Sequence, residues 1–358
     1  MIDDASLAFL RRLLDSPGPS GFEVAPARVW RAEAERITPH VEVDVHGSSF
    51  ATLNPGGAPR VMLAGHIDEI GLMVTHIDDD GFLFFDGIGG WDVEVLVGQR
   101  VRVLTRGGER VGVVGKKPIH LMKPEEREKA SKLRDLWIDC GARDRAQALE
   151  WGLRVGDPAV LDANLVELGN GRLVCRSIDD RIGAFVVLET LRRLAEGPPP
   201  AAQVTAVATA QEEIGHSGGG ARASAYRLQP DVALVVDVTF ATDSPGVEKK
   251  EVGEHRLGSG PVLARGSAAH AGVVERLIGA AETEAIGFTL QAAPRSTATD
   301  ADAIFLSRAG VPTALVSIPN RYMHSPNEMI ALADVDACVR LLVAFVRLLQ
   351  GETDFTPR

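Results

Sequence analysis

The apolar positions of this chain change period several times, and each change marks an element. Over residues 4–15, Leu7, Leu10, Leu13 and Leu14 recur at helical spacing, and the run stops at SPGPSG, a cluster of turn formers. A second helix is expected through about Ile37. VEVDVHG and RVMLAGH are short β-branched runs bounded by Gly and Pro, which predicts strands. From about residue 74 to 163 the texture is short strands and turns, as in GFLFFDGIGG, LVGQRVRVL and GERVGVVGKK. One charged segment there, KPEEREKASKL, is expected to be helical. Strands at this spacing suggest a small β-barrel.

After RLVCRSIDDR the pattern becomes α/β. IGAFVVLETLRRLAEG reads as an amphipathic helix ending in Gly. QVTAVATA and VALVVDVTF are near-continuous apolar runs, as expected of central strands covered on both faces. FTLQAA, TALVSI and the helix DVDACVRLLVAFVRLLQG complete the alternation. The prediction is one α/β domain, residues 1–73 and 164–358, interrupted by a β-rich insert over 74–163.

Composition narrows the function classes. The chain has 358 residues, 45% hydrophobic and 24% charged, which suits a packed globular protein. A formal net charge of -11 argues against a nucleic-acid or anionic-membrane surface, and an acidic interior that binds cations would add to the same imbalance. No run of about 18 apolar residues predicts a membrane span. The N-terminal MIDDASLAFLRRLLDSPG lacks the basic start and apolar core of a signal peptide. Cys140, Cys175 and Cys338 are odd in number and far apart, which fits reduced thiols. A cytoplasmic location is expected.

Five places then put ionisable groups beside apolar runs. His66 and Asp68 lie two apart in VMLAGHIDEIG and point the same way if extended. Asp179 and Asp180 open a helix, Glu212 and Glu213 follow a strand in TAQEEIG, Asp237 interrupts VALVVDVTF, and His324 precedes a Ser-Pro turn. Singly, each has a bland reading as a cap, a loop residue or a hydrogen-bonded histidine. Together they fit one crevice at the carboxyl ends of sheet strands. Two adjacent carboxylates are costly to desolvate unless a cation lies between them. Two His and three carboxylates suit two first-row divalent ions sharing a bridging carboxylate, with ions about 3.5–4 Å apart clamping a water and a substrate oxygen. One carboxylate of the Glu pair would then be free to act as base.

The motifs AGHIDEIGLMV, RSIDDRIGA, ATAQEEIGHSGG, VVDVTFATDSPG, TATDADAI and SIPNRYMHSP resemble the M42 family of metalloaminopeptidases, the glutamyl aminopeptidase or TET-like family sometimes labelled endoglucanase M. The resemblance extends into the insert through GIGGWDVEVLVGQRV, KPIHLM and LWIDCGA. It implies a mixed-sheet α/β, phosphorylase/hydrolase-like metallopeptidase domain with an inserted β-barrel that serves dimerisation, and dimers assembling into a tetrahedral dodecamer. It implies removal of N-terminal residues from peptides with a free N-terminus. Two divalent ions are implied, zinc or cobalt, with manganese admitted by the same donors. His66 and Asp237 would hold one ion, Glu213 and His324 the other, and Asp179 would bridge them. Glu212 would be the general base acting on the water between the ions, and Asp68 would orient His66. The chain has Ala298 where the family pattern has Gly.

Other residues are given ordinary roles. His216 is read as a loop histidine, and His120, His76 and His46 as unconnected with the site. His255 and His270 are candidates for the substrate pocket, and Asp180 and Arg181 for ordering a helix start. Asp300 and Asp302 either touch the site or cap a helix. Arg265, Arg295 and Arg321 would favour acidic substrate side chains if they reach the pocket. Rival readings are a metal-dependent N-acyl amino-acid deacylase, a non-catalytic assembly subunit of the same fold, and a glycosidase, which would need two carboxylates flanking a sugar bond.

Overall fold

A computed structural model describes residues 2–215, 218–351 and 353–357. The chain opens with α1 (Asp4–Asp15), α2 (Val24–Ala34), β1 (Val41–Val43), β2 (Ser49–Leu53) and β3 (Arg60–His66). The insert follows as β4 (Gly71–Ile77), β5 (Leu83–Ile88), β6 (Arg100–Thr105), β7 (Gly108–Lys116), α3 (Pro124–Arg127), β8 (Leu136–Asp139), α4 (Arg145–Glu150) and β9 (Pro158–Leu161). The return comprises β10 (Val166–Leu168), β11 (Arg172–Cys175), α5 (Ile178–Glu196), β12 (Gln203–Thr209), α6 (Gly219–Leu228), β13 (Val232–Phe240) and α7 (Lys249–Val252). It ends with β14 (Val262–Arg265), α8 (Ala271–Thr283), β15 (Thr289–Ala292), α9 (Ala301–Ile304), β16 (Thr313–Asn320), β17 (Glu328–Ala331) and α10 (Leu332–Leu348).

An eight-stranded mixed sheet runs β1-β2-β12-β3-β13-β16-β14-β15. Its four central strands are parallel, and β1, β2 and β14 supply antiparallel pairings towards the edges. The apolar runs of β12, β13 and β16 are buried on both faces, as their continuous hydrophobicity predicts. Strands β4 to β9 close a six-stranded barrel in the order β4-β5-β8-β7-β6-β9 with its own core of Leu72, Val74, Leu83, Val101, Ile138 and neighbours. The first barrel strand begins at Gly71, three residues earlier than the sequence boundary at 74.

Two elements differ from the expected pattern. KPEEREKASKL is helical only over Pro124–Arg127, because it offers no apolar stripe to bury and a single turn gains little by itself. The helix α5 is not amphipathic over most of its length. Residues 178–191 are all buried, between the sheet on one side and α1 and α10 on the other. Gly65 and Gly183 permit this: a Cβ on Gly65 would lie 2.4 Å from the Gly183 carbonyl carbon. The close approach brings the start of α5 against the end of β3.

Candidate functional site

The site forms where β3 and β13 part. Their pairing ends at Val235↔Ala64, while β3 continues to His66 and β13 to Phe240. The open end lies at the carboxyl side of the parallel strands, the usual place for a ligand in such a sheet. His66 ends β3, Glu212 and Glu213 follow β12, and His324 lies in the turn between β16 and β17. Asp237 is inside β13, opposite Ser317, rather than at a strand end. Asp179 follows β11, a strand of a separate three-stranded sheet β10-β11-β17, and lies in the first turn of α5, where it and Asp180 keep non-helical backbone angles.

These six side chains meet. One carboxylate oxygen of Asp179 lies 3.2 Å from Nε2 of His66, and the other 3.4 Å from Nε2 of His324. Glu213 Oε1 is 3.4 Å from the same His324 nitrogen, and Glu212 Oε2 is 3.8 Å from His66 Nε2. Ligand atoms of His66, Asp179 and Glu213 all lie within 4.8 Å of one another, and so do those of His66, Asp180 and Asp237. Glu213 Oε1 is buried and accepts no hydrogen bond among the described residues.

The supporting contacts orient each member. Nδ1 of His66 faces Asp68, 3.4 Å from Oδ1 and 3.3 Å from the carbonyl oxygen. Asp68 also accepts the backbone N–H groups of Glu212 and Glu213, each at 3.1 Å, and the Ser20 hydroxyl at 2.6 Å. Through these contacts the Asp68 carboxylate anchors the Glu pair. Nδ1 of His324 donates to the Gly90 carbonyl at 2.7 Å, so the barrel insert contributes to the site. Asp180 accepts from the backbone N–H groups of His66 and Gly183, which ties β3 to α5. Arg181, fully buried, donates to the carbonyls of Ile67 and Gly18 and pairs with Glu69 at 2.8 Å, fixing the loop after His66.

Glu328 was missed by sequence reasoning. It is buried at the start of β17, and its two oxygens accept the backbone N–H groups of His324 and Asp179, both at 2.9 Å. Asp300 is buried and accepts the Thr209 hydroxyl, whereas Asp302 accepts from Thr297 and Ala298 and shapes their loop. His255 is hydrogen-bonded to Thr289 and to the Val252 carbonyl, and neither it nor His270 lines the site. His216 lies outside the described residues.

Electrostatically the cluster has more acid than it can keep ionised alone. Burial pushes Glu212 up to about 10; His66 opposes this, and Asp237, Asp300 and Glu213 add to it. Burial likewise raises Asp180 and Asp237 far above the usual carboxylate range. His324 is raised to about 11 against the cost of burial, because Asp179 and Glu213 face it. Such a group of carboxylates and imidazoles is what divalent cations neutralise.

A cavity of about 370 Å³ opens from these residues. It is walled by the end of β13, Gln291–Ala293, Pro294, loop residues 296–299, Leu315, Ser317 and Met323.

A mixed α/β sheet with a barrel insert, and a buried carboxylate–imidazole cluster in the strand-end crevice, define a metallopeptidase-type hydrolase. The chain belongs to the M42 glutamyl aminopeptidase family, whose model matches residues 47–341, and it is an enzyme of the aminopeptidase class. It is 37% identical over 351 residues to the lysyl aminopeptidase of Pyrococcus furiosus, covering 97% of this chain and 98% of that one. Its fold matches a TET aminopeptidase from the marine sediment archaeon Thaumarchaeota archaeon SCGC AB-539-E09 at a TM-score of 0.92 and 36% identity, over 97% of both chains. It also matches the TET1 peptidase of Pyrococcus horikoshii at a TM-score of 0.82 and 30% identity, over 96% of this chain and 100% of that one. That peptidase is described as assembling into a tetrahedron or a large octahedral shell. Among the described residues no helix is long and apolar enough to cross a membrane.

Proposed function

We propose that the chain removes N-terminal residues from peptides, using two divalent cations held by His66, Asp179, Asp237, Glu213 and His324. The observation that carries this reading is Asp179, whose two oxygens face the imidazoles of His66 and His324 separately, as a bridging carboxylate does. His66 and Asp237 would hold one ion, and Glu213 and His324 the other. When bound, such a pair of ions polarises the scissile carbonyl and makes water nucleophilic near neutral pH.

The protein groups supply the rest. Glu212 opens onto the cavity without an imidazole as close as those facing Asp179, and the charge of bound cations would keep it ionised, so that it can accept a proton and return it. It takes the proton of the attacking water and gives it to the departing amine. Asp68 holds the backbone of Glu212 and Glu213 in register with His66. The surplus of carboxylates over imidazoles at the cavity mouth suits a free substrate α-amine, which favours an exopeptidase over a deacylase.

Zinc, cobalt and manganese all fit this donor set. The barrel is the proposed dimerisation surface: Ile119 and Leu121 on its outside are 57% and 70% exposed, and the dodecameric assemblies of relatives support a dimer-based oligomer. A cytoplasmic location is proposed on the reduced cysteines alone.

The test is hydrolysis of aminoacyl-p-nitroanilides after chelation and after adding back Zn²⁺, Co²⁺ or Mn²⁺, with N-acetylated substrates as controls. Activity requiring both metal and a free amine is expected. Glu212→Gln should retain metal and lose about 10²–10⁴-fold in kcat. Activity confined to acetylated substrates, or a Glu212→Gln variant at near-normal rate, overturns the reading.

A further inference from the structure

Away from the carboxylate–imidazole cluster the cavity walls carry no charged side chain among the described residues. Among the described residues that line it, only the six site members His66, Asp179, Glu212, Glu213, Asp237 and His324 are ionisable; every other lining residue is neutral. Its deep surfaces are Ala264, Leu315 and Ser317, all buried, and Thr239 bridges to Gln291 by a hydroxyl–amide hydrogen bond of 3.1 Å. The three arginines that would favour acidic residues do not reach it. Arg265 pairs with Glu275 on the exposed side at 2.9 Å, Arg321 pairs with Asp243 at 2.8 Å, and Arg295 is exposed and outside the lining.

We propose that this cavity receives the side chain of the substrate's first residue and selects uncharged side chains of about leucine or methionine size. The inference rests on the aminopeptidase reading. Beyond the cluster the lining offers neither an acid nor a base, so neither a lysine nor a glutamate side chain meets an opposite charge there. Desolvating such a group without a partner is unfavourable, whereas an apolar side chain gains by contact with Leu315, Ala264 and Met323. Gln291 is the wall residue that keeps the pocket neutral. It differs from glutamate by one atom, and its Oε1 already accepts from Thr239, so a carboxylate fits in its place.

The experiment compares kcat/KM for leucyl, methionyl, lysyl and glutamyl p-nitroanilides on the metal-loaded protein and on Gln291→Glu. Calorimetric binding of free leucine, lysine and glutamate reads the same order without turnover. Leucyl and methionyl substrates should lead by at least about ten-fold, and Gln291→Glu should move the lysyl-to-leucyl ratio up by a similar factor. A lysyl or glutamyl preference in the unmodified protein overturns the pocket assignment while leaving the aminopeptidase reading standing. An unchanged ratio in Gln291→Glu, with leucyl activity retained, also overturns it. No turnover of any free-amine substrate with any of the three cations overturns both.

Discussion

The carbonyl oxygen of Gly90, in the barrel insert, lies 2.7 Å from Nδ1 of His324, in the turn after β16. A carbonyl can only accept, so Nδ1 carries the hydrogen and Nε2 is left to face Asp179 and Glu213. The insert therefore sets the tautomer of a candidate ligand. The loop that presents this carbonyl is tight: Gly89 has φ +76, and a Cβ there would come 2.6 Å from Ile70 Cγ2. Gly89→Ala should displace the Gly90 carbonyl and weaken metal retention by about 10–100-fold, the usual cost of losing an orienting partner. Metal content after dialysis against graded chelator checks this; retention equal to the parent protein would separate barrel from site.

Glu328 joins Asp179 and His324 through their backbone rather than their side chains. Both of its oxygens accept N–H groups, so an amide cannot replace it. Glu328→Gln turns an NH₂ towards a backbone N–H and leaves a buried donor unpaired, at a cost of about 1–3 kcal/mol. Denaturant unfolding should register that loss, and competition with a chelator should show weaker metal binding. A variant with unchanged stability and unchanged metal affinity would show that the clamp is dispensable.

Without cations the site keeps protons that cations must displace. Glu212 is held protonated to about 10, by burial above all, and His324 to about 11 by Asp179 and Glu213 against burial. In the unfolded chain these groups titrate near 4.5 and 6.5. The folded, stripped protein thus binds more protons across that window, and its stability falls as pH rises from about 4.5 towards about 10. Metal affinity moves the other way and rises with pH, by up to about ten-fold per unit for each proton that leaves. Titration of stripped protein with Zn²⁺ in weak buffer should release protons; affinity that does not change between about pH 6 and 8 contradicts the assignment.

Much of the site is legible in the sequence because it violates the hydrophobic pattern around it. Asp237 inside VALVVDVTF and the Glu pair after QVTAVATA are desolvation anomalies, and His66 and Asp68 share a direction by strand spacing. Glu328 gives no such signal, since it starts a short strand after a turn and looks like an ordinary edge residue. The Gly90 carbonyl has no side chain to notice. The arginines 265, 295 and 321 could be counted but not aimed, because their directions depend on loops packed from distant segments. The barrel was legible from turn spacing, whereas α5 was misread because its i,i+4 rows are apolar on one side and its remaining positions are buried by α1 and α10.

Ala298, the departure from the motif, carries a backbone cost that glycine would not. It sits in the left-handed region at φ +54, in the loop that walls the cavity, with its N–H donated to Asp302 at 2.9 Å. An L-residue with a Cβ pays about 1–2 kcal/mol for that conformation, which Gly avoids. Part of the gain from Gly is offset by the greater freedom of the unfolded chain, about 0.4–1 kcal/mol. Ala298→Gly should therefore stabilise the protein by up to about 1 kcal/mol, while the hydrogen bonds of Thr297 and Ala298 to Asp302 keep the loop in place. The midpoint of thermal or denaturant unfolding measures this on the metal-loaded protein. A clear loss of stability would mean that entropy outweighs strain at this position and that the alanine is the better residue for this loop.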